Sequence, residues 1–268
     1  MKRILLPVSV ALATAFIILA CSTVPITGRK QLNIIPAGTM QSMSYSEYST
    51  FMQSNKLSSN SSNVDMVRRV GNGIRGAVER YFAQKGLSDQ LKGYAWEFNL
   101  IESPEVNAWC MPGGKVVVYT GILPVTQSEA GLAVVMGHEV AHAIAEHGSE
   151  RMSQGLVTQL GGMALSEALA NKPAETRALY MTAFGLGTQV GVLLPFSRTH
   201  ESEADRLGLV FMAMAGYNPN EAVAFWQRMA AGKTGGSPPE FLSTHPSDKT
   251  RISDIQKHMA EALQYYNK

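Results

Sequence analysis

The sequence predicts an α+β fold that is mainly helical. Apolar residues recur every three or four positions in several long segments, which is the spacing of helices with a buried face. Two short segments, at 94–101 and 115–120, have instead the alternating or β-branched pattern of strands. With 268 residues, the chain is long enough for one sizeable hydrophobic core, so one domain is expected.

Five segments carry the helical pattern. They cover residues 64–84, 128–147, 197–216, 218–230 and 248–266. Before the first, the loop SSNSSN ends in Asn63, which can cap the helix. The strand at 94–101 has one apolar face, and the turn MPGG at 111–114 precedes the strand-like KVVVYT.

Residues 150–196 are apolar, rich in glycine and poor in charge. Two interpretations are open. A membrane hairpin is conceivable because 178–196 contains no charged residue, and the alternative is a helical hairpin packed near the active site. Gly185, Gly187 and Pro195 favour the packed helical hairpin, because such residues interrupt a membrane span.

The first twenty residues have the pattern of a signal peptide. Lys2 and Arg3 precede an apolar run at 4–20, and the run ends in ILAC, with Cys21 directly after a small residue. This is typical of a bacterial lipoprotein signal, whose cleavage leaves a lipid on Cys21; an uncleaved membrane anchor is the alternative. We therefore expect a signal peptide at 1–20, a lipidated tether at 21–46 and one folded domain at 47–268.

Charge and cysteine content narrow the partners and the location. Without residues 1–20, 21 basic and 21 acidic residues remain, and no basic cluster is interleaved with aromatic residues, so nucleic acid is not an expected partner. A lipid at Cys21 would attach the protein to a membrane and leave Cys110 as the only thiol. Ser22, which is not Asp, favours the outer membrane of a bacterial cell envelope, with the protein facing the periplasm.

The stretch MGHEVAHAIAEHGSE at 136–150 contains three of the six histidines. His138 and His142 are four residues apart, so a helix presents both imidazoles to one ion. His147 lies nine residues after His138, on the far side of such a helix, and is not expected to bind that ion. Glu139 borders the metal face, where its carboxylate can take a proton from a water molecule that zinc has acidified.

Two histidines do not hold a catalytic zinc, which usually has three protein ligands and leaves a fourth position for water. The downstream candidates for the third ligand are His200, Glu201, Glu203 and Asp205. Glu201 and Asp205 share a helix face with Gly208, which permits close approach to another helix, whereas Glu203 points elsewhere. A second carboxylate one turn after a ligand can accept a hydrogen bond from a ligating histidine.

Four stretches resemble a known family of peptidases. They are NAWCMPGGKVVVYTGIL, MGHEVAHAIAEH, LPFSRTHESEADRLG and STHPSDKTRI, in order from 107 to 252. They are similar to zinc metallopeptidase family 48, which includes the CAAX prenyl endopeptidase, the HtpX heat-shock protease and periplasmic quality-control lipoproteins. The resemblance implies that 47–268 is a zinc metallopeptidase domain with one zinc ion per chain, with Glu201 as third ligand and Asp205 supporting the site. It also implies a zincin-type fold, with HExxH plus a downstream Glu and a small β-sheet beside the active-site helix.

The stretch VNAWC is expected to form a strand at the edge of that sheet. Asn107 and Ala108 would then bind an extended peptide as one more strand, largely independently of its side chains. This mode suits unfolded or damaged proteins as substrates. An ordinary hairpin is the alternative for these two residues.

His245 stands in the loop LSTHPSDKTRI, within the fourth matching stretch. It could be an exposed turn residue, a donor to the oxyanion of the substrate, or a latch that takes the open position on zinc. The leading functional hypothesis is a membrane-tethered zinc endopeptidase that cleaves misfolded or damaged cell-envelope proteins. The alternative is a chaperone-like envelope assembly factor with a structural or latched zinc site.

Overall fold

The structure is a computed structural model, and it describes residues 21–172, 174–188, 194–231, 241, 245 and 249–266. The predicted signal peptide at 1–20 lies outside the described residues. The chain divides into two compact units: a smaller one of Met1–Thr39 and Glu146–Thr199, and a larger one of Met40–Ala145 and His200–Lys268.

The described elements are five strands and nine α-helices, together with two short 3₁₀ turns at Ser88–Leu91 and Thr120–Ile122. In chain order they are β1 (Cys21–Thr23), β2 (Lys30–Leu32), α1 (Ala37–Ser54), α2 (Ser61–Gln84), β3 (Glu97–Ile101), β4 (Ala108–Met111), β5 (Lys115–Tyr119), α3 (Leu123–Thr126), α4 (Glu129–Ile144), α5 (His147–Ala168), α6 (Ala174–Thr188), α7 (Leu194–Met214), α8 (Glu221–Ala231) and α9 (Lys249–Tyr266). The predicted fold class, a mainly helical α+β fold, is confirmed.

A three-stranded sheet lies in the larger unit, in the order β3-β5-β4. Strand β3 runs parallel to β5, and β4 runs antiparallel to it through the predicted turn. That turn requires Gly113 and Gly114, whose φ angles of 88° and 86° are left-handed and disfavour other residues. Helix α4 packs beside β4, so the small sheet borders the helix that carries the histidines.

Helix α2 covers α4 with the apolar stripe that the sequence predicts. Val67, Val70, Ile74, Val78 and Tyr81 are all buried. Burial of each such side chain stabilises the fold by about 1.5–3 kcal/mol. The helix begins at Ser61 rather than at 64, because the side chain of Asn60, not Asn63, accepts the hydrogen bond that caps it.

Helix α4 begins after Ser128, whose hydroxyl accepts a hydrogen bond from the Gly131 N–H at 3.0 Å. It ends at Ile144, three residues before the predicted end. The break occurs because Glu146 adopts a left-handed conformation with φ of 57°, and His147 then opens helix α5. Continuation of one helix through His147 was therefore a wrong prediction.

The smaller unit contains the β1–β2 hairpin and helices α5 and α6. Arg29, in the turn of the hairpin, donates two hydrogen bonds to Glu150 of α5, at 2.9 and 2.7 Å. The Ile34 N–H donates to the Ser153 hydroxyl of the same helix at 3.0 Å. Residues 21–46, predicted as a tether, thus include a docked hairpin and the first turns of α1.

The predicted helical pair between 150 and 196 is present as α5 and α6. The Phe184 ring of α6 packs against Gly161 and Gly162 of α5. No helix within the described ranges combines the length and the apolar character that crossing a bilayer requires.

Candidate metal centre and active site

Four side chains of the larger unit converge on one point. They are His138, His142, Glu201 and His245, and one ligand atom from each lies within 4.8 Å of all the others. The Nε2 atoms of His138 and His142 are 3.1 Å apart, and each is 3.4 Å from an oxygen of Glu201. All four residues are buried.

These separations test whether a zinc ion fits. A tetrahedral zinc with bonds of about 2.0–2.1 Å places its ligand atoms roughly 3.3 Å from one another. The distances among the two Nε2 atoms and the Glu201 oxygens, 3.1 to 3.4 Å, agree with that value. Two imidazoles and a carboxylate are also a donor set that zinc prefers. The cluster therefore fits zinc, and His147 is not part of it.

Helix geometry and one close helix contact build this cluster. His138 and His142 are one turn apart on α4, so their rings share a face. Helix α7 brings Glu201 to that face by passing α4 at backbone distance: a Cβ on Gly208 would lie 2.9 Å from the His138 nitrogen. Only glycine permits this approach, as the sequence predicted for Gly208.

Asp205, one turn after Glu201, holds the first histidine. Its Oδ1 lies 2.9 Å from His138 Nδ1, so the opposite ring nitrogen points into the cluster. Burial lowers the pKa of His138, but hydrogen bonds with Asp205 and Glu201 outweigh it and raise that pKa to about 9. Binding of an ion must therefore displace a proton from this ring.

Burial and hydrogen bonding also set the charges of two other candidate ligands, Glu201 and His142. Burial raises the pKa of Glu201, but hydrogen bonds from the three imidazoles outweigh it and hold the pKa below its ordinary value. For His142, burial lowers the pKa well below its ordinary value, which keeps the ring neutral. An ionised carboxylate and a neutral imidazole are the forms that bind metal.

Arg251 is a site residue that the sequence reasoning did not single out. Its guanidinium group donates to Asp205 at 2.7 Å and to Glu201 at 3.2 Å, and its central carbon lies 3.4 Å from the centre of the Trp226 ring. The side chain is only 5% exposed. An arginine in the first turn of α9 has the sequence signature of a surface charge, so nothing local indicates this burial.

Glu139 lies next to the cluster but outside it, as its position after His138 predicts. It is 3% exposed, and its Oε1 lies 3.3 Å from His245 Nε2. Burial raises the pKa of Glu139, against opposing contributions from His245 and His138. A carboxylate with a raised pKa is a better proton acceptor near neutral pH, which suits a general base.

His245 occupies the fourth corner of the cluster. Its Nδ1 lies 3.0 Å from both oxygens of Glu201 and 3.2 Å from His138 Nε2. Its backbone N–H donates to the carbonyl of Phe241, whose ring centre is 4.8 Å from the imidazole. The ring is thus held inside the site, and this does not match the alternative of an exposed turn residue.

The predicted substrate strand lies at the sheet edge, but its outward groups already have partners. Tyr119 donates its N–H to the Asn107 carbonyl, so Val106 and Ala108 direct their backbone groups away from β5. The Val106 carbonyl accepts from the Phe241 N–H at 3.1 Å, and the Asn107 side chain accepts from the Ala108 N–H at 2.9 Å. Phe241, which accepts a hydrogen bond from the His245 N–H, therefore also contacts the predicted substrate strand.

Several proteins are similar to this chain. Mitochondrial metalloendopeptidase OMA1 of Schizosaccharomyces pombe is 40% identical over 186 residues, which cover 69% of this chain and 52% of that protein. Human mitochondrial metalloendopeptidase OMA1 is 30% identical over 247 residues, or 89% of this chain and 46% of the relative. The β-barrel assembly-enhancing protease of Escherichia coli K12 is 30% identical over 167 residues, or 60% and 34%. The chain thus spans about half the length of the OMA1 relatives or less.

The comparison contradicts the predicted location. The residues around Cys21 and Ser22 predict a lipoprotein at the outer membrane of a bacterial envelope, facing the periplasm, whereas both OMA1 relatives are named as mitochondrial proteins. The error has a physical reason. A basic start followed by an apolar run indicates that a segment can enter a membrane, but the same composition serves different membranes and carries little information on which one.

The predicted peptidase family is confirmed. A profile of Peptidase family M48 matches residues 72–259, which include helix α4, the sheet, helix α7 and the first part of α9. The predicted class of enzyme, a metallopeptidase, is confirmed at the level of the family. The match covers more than half of the chain and contains every residue of the cluster and both of its supporting side chains, so the chain belongs to peptidase family M48.

Proposed function

We propose that this protein is a zinc-dependent endopeptidase that cleaves extended segments of unfolded or damaged proteins. The observation that carries the proposal is the buried group of two imidazoles and one carboxylate with Glu139 beside it. Zinc, when bound there, would polarise a peptide carbonyl and lower the pKa of an attacking water molecule.

The residues of the chain would divide the work as follows. His138, His142 and Glu201 would hold the ion, and Asp205 fixes the orientation of the His138 ring through its 2.9 Å contact. Glu139 would accept a proton from water and later transfer it to the leaving amine, for which its raised pKa is suited. Arg251 holds the carboxylates of Asp205 and Glu201 in position through charge-assisted hydrogen bonds.

The substrate would bind as an added strand along β4. The outward carbonyl of Val106 and N–H of Ala108 are the groups that would pair with a peptide backbone, after exchange of their present partners. Pairing through the main chain requires an extended peptide and tolerates many side chains. This would select for unfolded segments rather than for one sequence. Val106 and Ala108 would be the backbone contacts, because the Asn107 carbonyl already accepts from the Tyr119 N–H of β5.

Membrane attachment is a second part of the proposal. The apolar run at 4–20 and the cysteine at 21 support attachment, either through a lipid on Cys21 or through the run itself as an anchor. Release of a Cys21→Ser variant from the membrane fraction would identify the lipid as the attachment. Retention of that variant would show that attachment does not require the lipid.

A latched site is the second candidate state, and the fourth donor favours it. Sites closed by four protein ligands are structural rather than catalytic, and His245 Nδ1 completes such a set. The Phe241 N–H at the same time donates to the Val106 carbonyl, one of the groups that would pair with a substrate. The corresponding function is a chaperone-like assembly factor whose zinc site is latched or structural.

Digestion of casein by the full chain tests the two candidates. Wild-type protein should cleave casein, a chelator should stop cleavage, and Glu139→Gln should abolish it while retaining one zinc. Glu129→Gln is the matched control, because it makes the same chemical change on the same helix at a position that pairs with Arg69 on the surface. Cleavage by Glu139→Gln at the wild-type rate would exclude the proposed mechanism.

His245→Ala separates a latch from an oxyanion donor. If the ring closes the site, its removal should increase the rate of casein cleavage at unchanged zinc content. If the ring donates to the oxyanion, the rate should fall by roughly a hundredfold. No casein cleavage by either wild type or His245→Ala, with zinc bound to both, would favour the assembly factor.

A further inference from the structure

Large apolar side chains are exposed mainly in one place. Among the described residues, six of the nine large apolar side chains with substantial exposure belong to helices α5 and α6. On α5 they are Met152, Leu156, Val157, Leu160 and Met163, which we call the α5 patch. Leu160 is the most exposed, at 64%. Such a concentration indicates a contact surface, because single exposed apolar residues are normally scattered.

The α5 patch forms a stripe rather than a random set. Met152, Leu156, Leu160 and Met163 follow one another at helical spacing and therefore share one face. The segment 152–166 contains no acidic or basic residue. The stripe extends for about 16 Å along the helix axis, at 1.5 Å per residue.

The surroundings of the patch match an interface with lipid. Charged residues bracket the uncharged segment, with Arg151 before it and Glu167 after it. Tyr180 of α6 is exposed as well, and tyrosine is enriched at the level of lipid head groups. No described helix has the length and apolar character to cross a bilayer, so α5 could lie on a membrane but not through it.

The chain itself indicates which partner covers the patch. The apolar run at 4–20 leads directly into β1, the first strand of the smaller unit. The hairpin that β1 begins is bound to α5 through Arg29 and Glu150. A segment with the composition to enter a membrane therefore continues into the same compact unit that exposes the patch. A bilayer explains both features with one partner.

We propose that the α5 patch rests on the surface of a phospholipid bilayer, with the helix in the plane of the interface and its apolar stripe among the acyl chains. The proposal builds on the membrane attachment proposed above and adds a second, non-covalent contact. Its ligand is the apolar interior of the bilayer rather than an anionic head group, because the segment 152–166 carries no positive charge. Binding should therefore be largely insensitive to salt.

Fluorescence quenching on the full chain tests the contact. The Cys21→Ser and Cys110→Ser background removes both native cysteines. An environment-sensitive label is attached at Leu160→Cys, at Met163→Cys or, as a matched control, at Leu57→Cys, an apolar residue of the larger unit that is 50% exposed. Each protein is mixed with phosphatidylcholine vesicles, floated, and exposed to a quencher in the acyl chains or to iodide in water.

Three outcomes are distinguishable. The proposal is supported if the acyl-chain quencher acts on the labels at 160 and 163 at least about threefold more than on the label at 57, and if iodide does not reach them. Quenching by iodide to the same extent as at 57, or failure of the proteins to float, overturns it. Shielding from both quenchers also overturns it, and would show that protein, such as residues 1–20 or a second copy, covers the patch.

A paired substitution provides an independent measurement. In protein labelled at Leu156→Cys, the pair Leu160→Glu and Met163→Glu should abolish shielding of the label from iodide and leave the circular dichroism spectrum unchanged. Leu57→Glu should change neither the shielding nor the spectrum. Casein cleavage in detergent reports on the active site alone. If the Leu156→Cys label is unshielded in protein with an otherwise intact α5 patch, and casein is cleaved normally, bilayer contact is rejected and the proposed peptidase stands. If that label is shielded and casein is not cleaved, bilayer contact stands and the proposed peptidase is rejected.

Discussion

Helices α4 and α5 follow each other in the chain and use their side chains in opposite ways. Fourteen residues of α4 are buried, and most of them are apolar. The five buried residues of α5 are all polar, and its large apolar side chains are exposed instead. Both helices are poor in charge, so charge content alone does not distinguish them. Which side chains of a helix are buried depends on the elements that pack against it, and these elements are distant in sequence.

The buried polar residues of the two helices differ in the same way. On α4 they converge on atoms from other elements at ligand distances, with Glu139 at the margin of the group. On α5, Glu150 forms an ion pair with Arg29 next to strand β2, and the Ser153 hydroxyl accepts from the Ile34 N–H just after that strand. The first set suits an ion, whereas the second is already neutralised by its own partner. This predicts that equal substitutions in the two sets will have different consequences.

The largest difference is expected between two buried carboxylates, Glu201 and Glu150. Glu201→Gln would remove the charge of one of the three proposed ligands and should lower zinc affinity by roughly a thousandfold. That loss is a sizeable share of the total free energy with which such sites bind zinc. Glu150→Gln should leave zinc affinity unchanged and weaken the hairpin, because it removes the carboxylate charge to which Arg29 donates two hydrogen bonds. Competition with a zinc-binding dye measures both. Equal zinc affinity in the two variants would contradict the assignment of Glu201.

The second difference concerns one leucine on each helix. Leu132 of α4 is 0% exposed, and Leu132→Ala should destabilise the larger unit by about 2–5 kcal/mol through lost burial and a cavity. Leu160→Ala should change stability by less than about 0.5 kcal/mol in the absence of membranes. Urea unfolding followed by circular dichroism measures both variants. Tryptophan fluorescence then reports on the larger unit, which contains Trp96, Trp109 and Trp226. A large loss in Leu160→Ala would mean that α5 is buried in solution.

The features that the sequence predicted are those with a local cause. The facing of His138 and His142 follows from a spacing of four residues on one helix, and the α2 stripe follows from the same period. The turn before β5 follows from its paired glycines. For Glu201, geometry narrowed the candidates to one helix face, and the resemblance to the family then selected the residue.

The features that the sequence did not predict depend on distant contacts. Arg251 reaches Asp205, 46 residues away, and Phe241 reaches Val106 across an even longer separation. The break at Glu146 requires a left-handed conformation in a residue that rarely adopts it, so no local pattern indicates it. The hairpin in the predicted tether has strands of only three residues, and its contact with α5 joins positions 121 residues apart.

The smallest expected difference in stability is between two glycine-to-alanine substitutions, one next to α4 and one on α5. Their effects on stability should have opposite signs. Gly208 of α7 contacts the backbone of α4, and Gly208→Ala would place a Cβ 2.9 Å from the His138 nitrogen and 3.0 Å from the Gly137 carbonyl carbon. Neither atom belongs to a flexible side chain, so α7 must shift, and we expect a loss of about 1–3 kcal/mol together with weaker zinc binding.

Gly155 of α5 is exposed, and a Cβ there would meet no atom within 4 Å. Gly155→Ala should therefore stabilise the helix by up to about 1 kcal/mol, because alanine loses less backbone entropy than glycine on folding into a helix. Thermal unfolding of both variants, followed by circular dichroism with and without zinc, checks the opposite signs. Destabilisation by Gly155→Ala would show that the surface of α5 is closely covered there, and the contrast between the two helices would have to be withdrawn at that position.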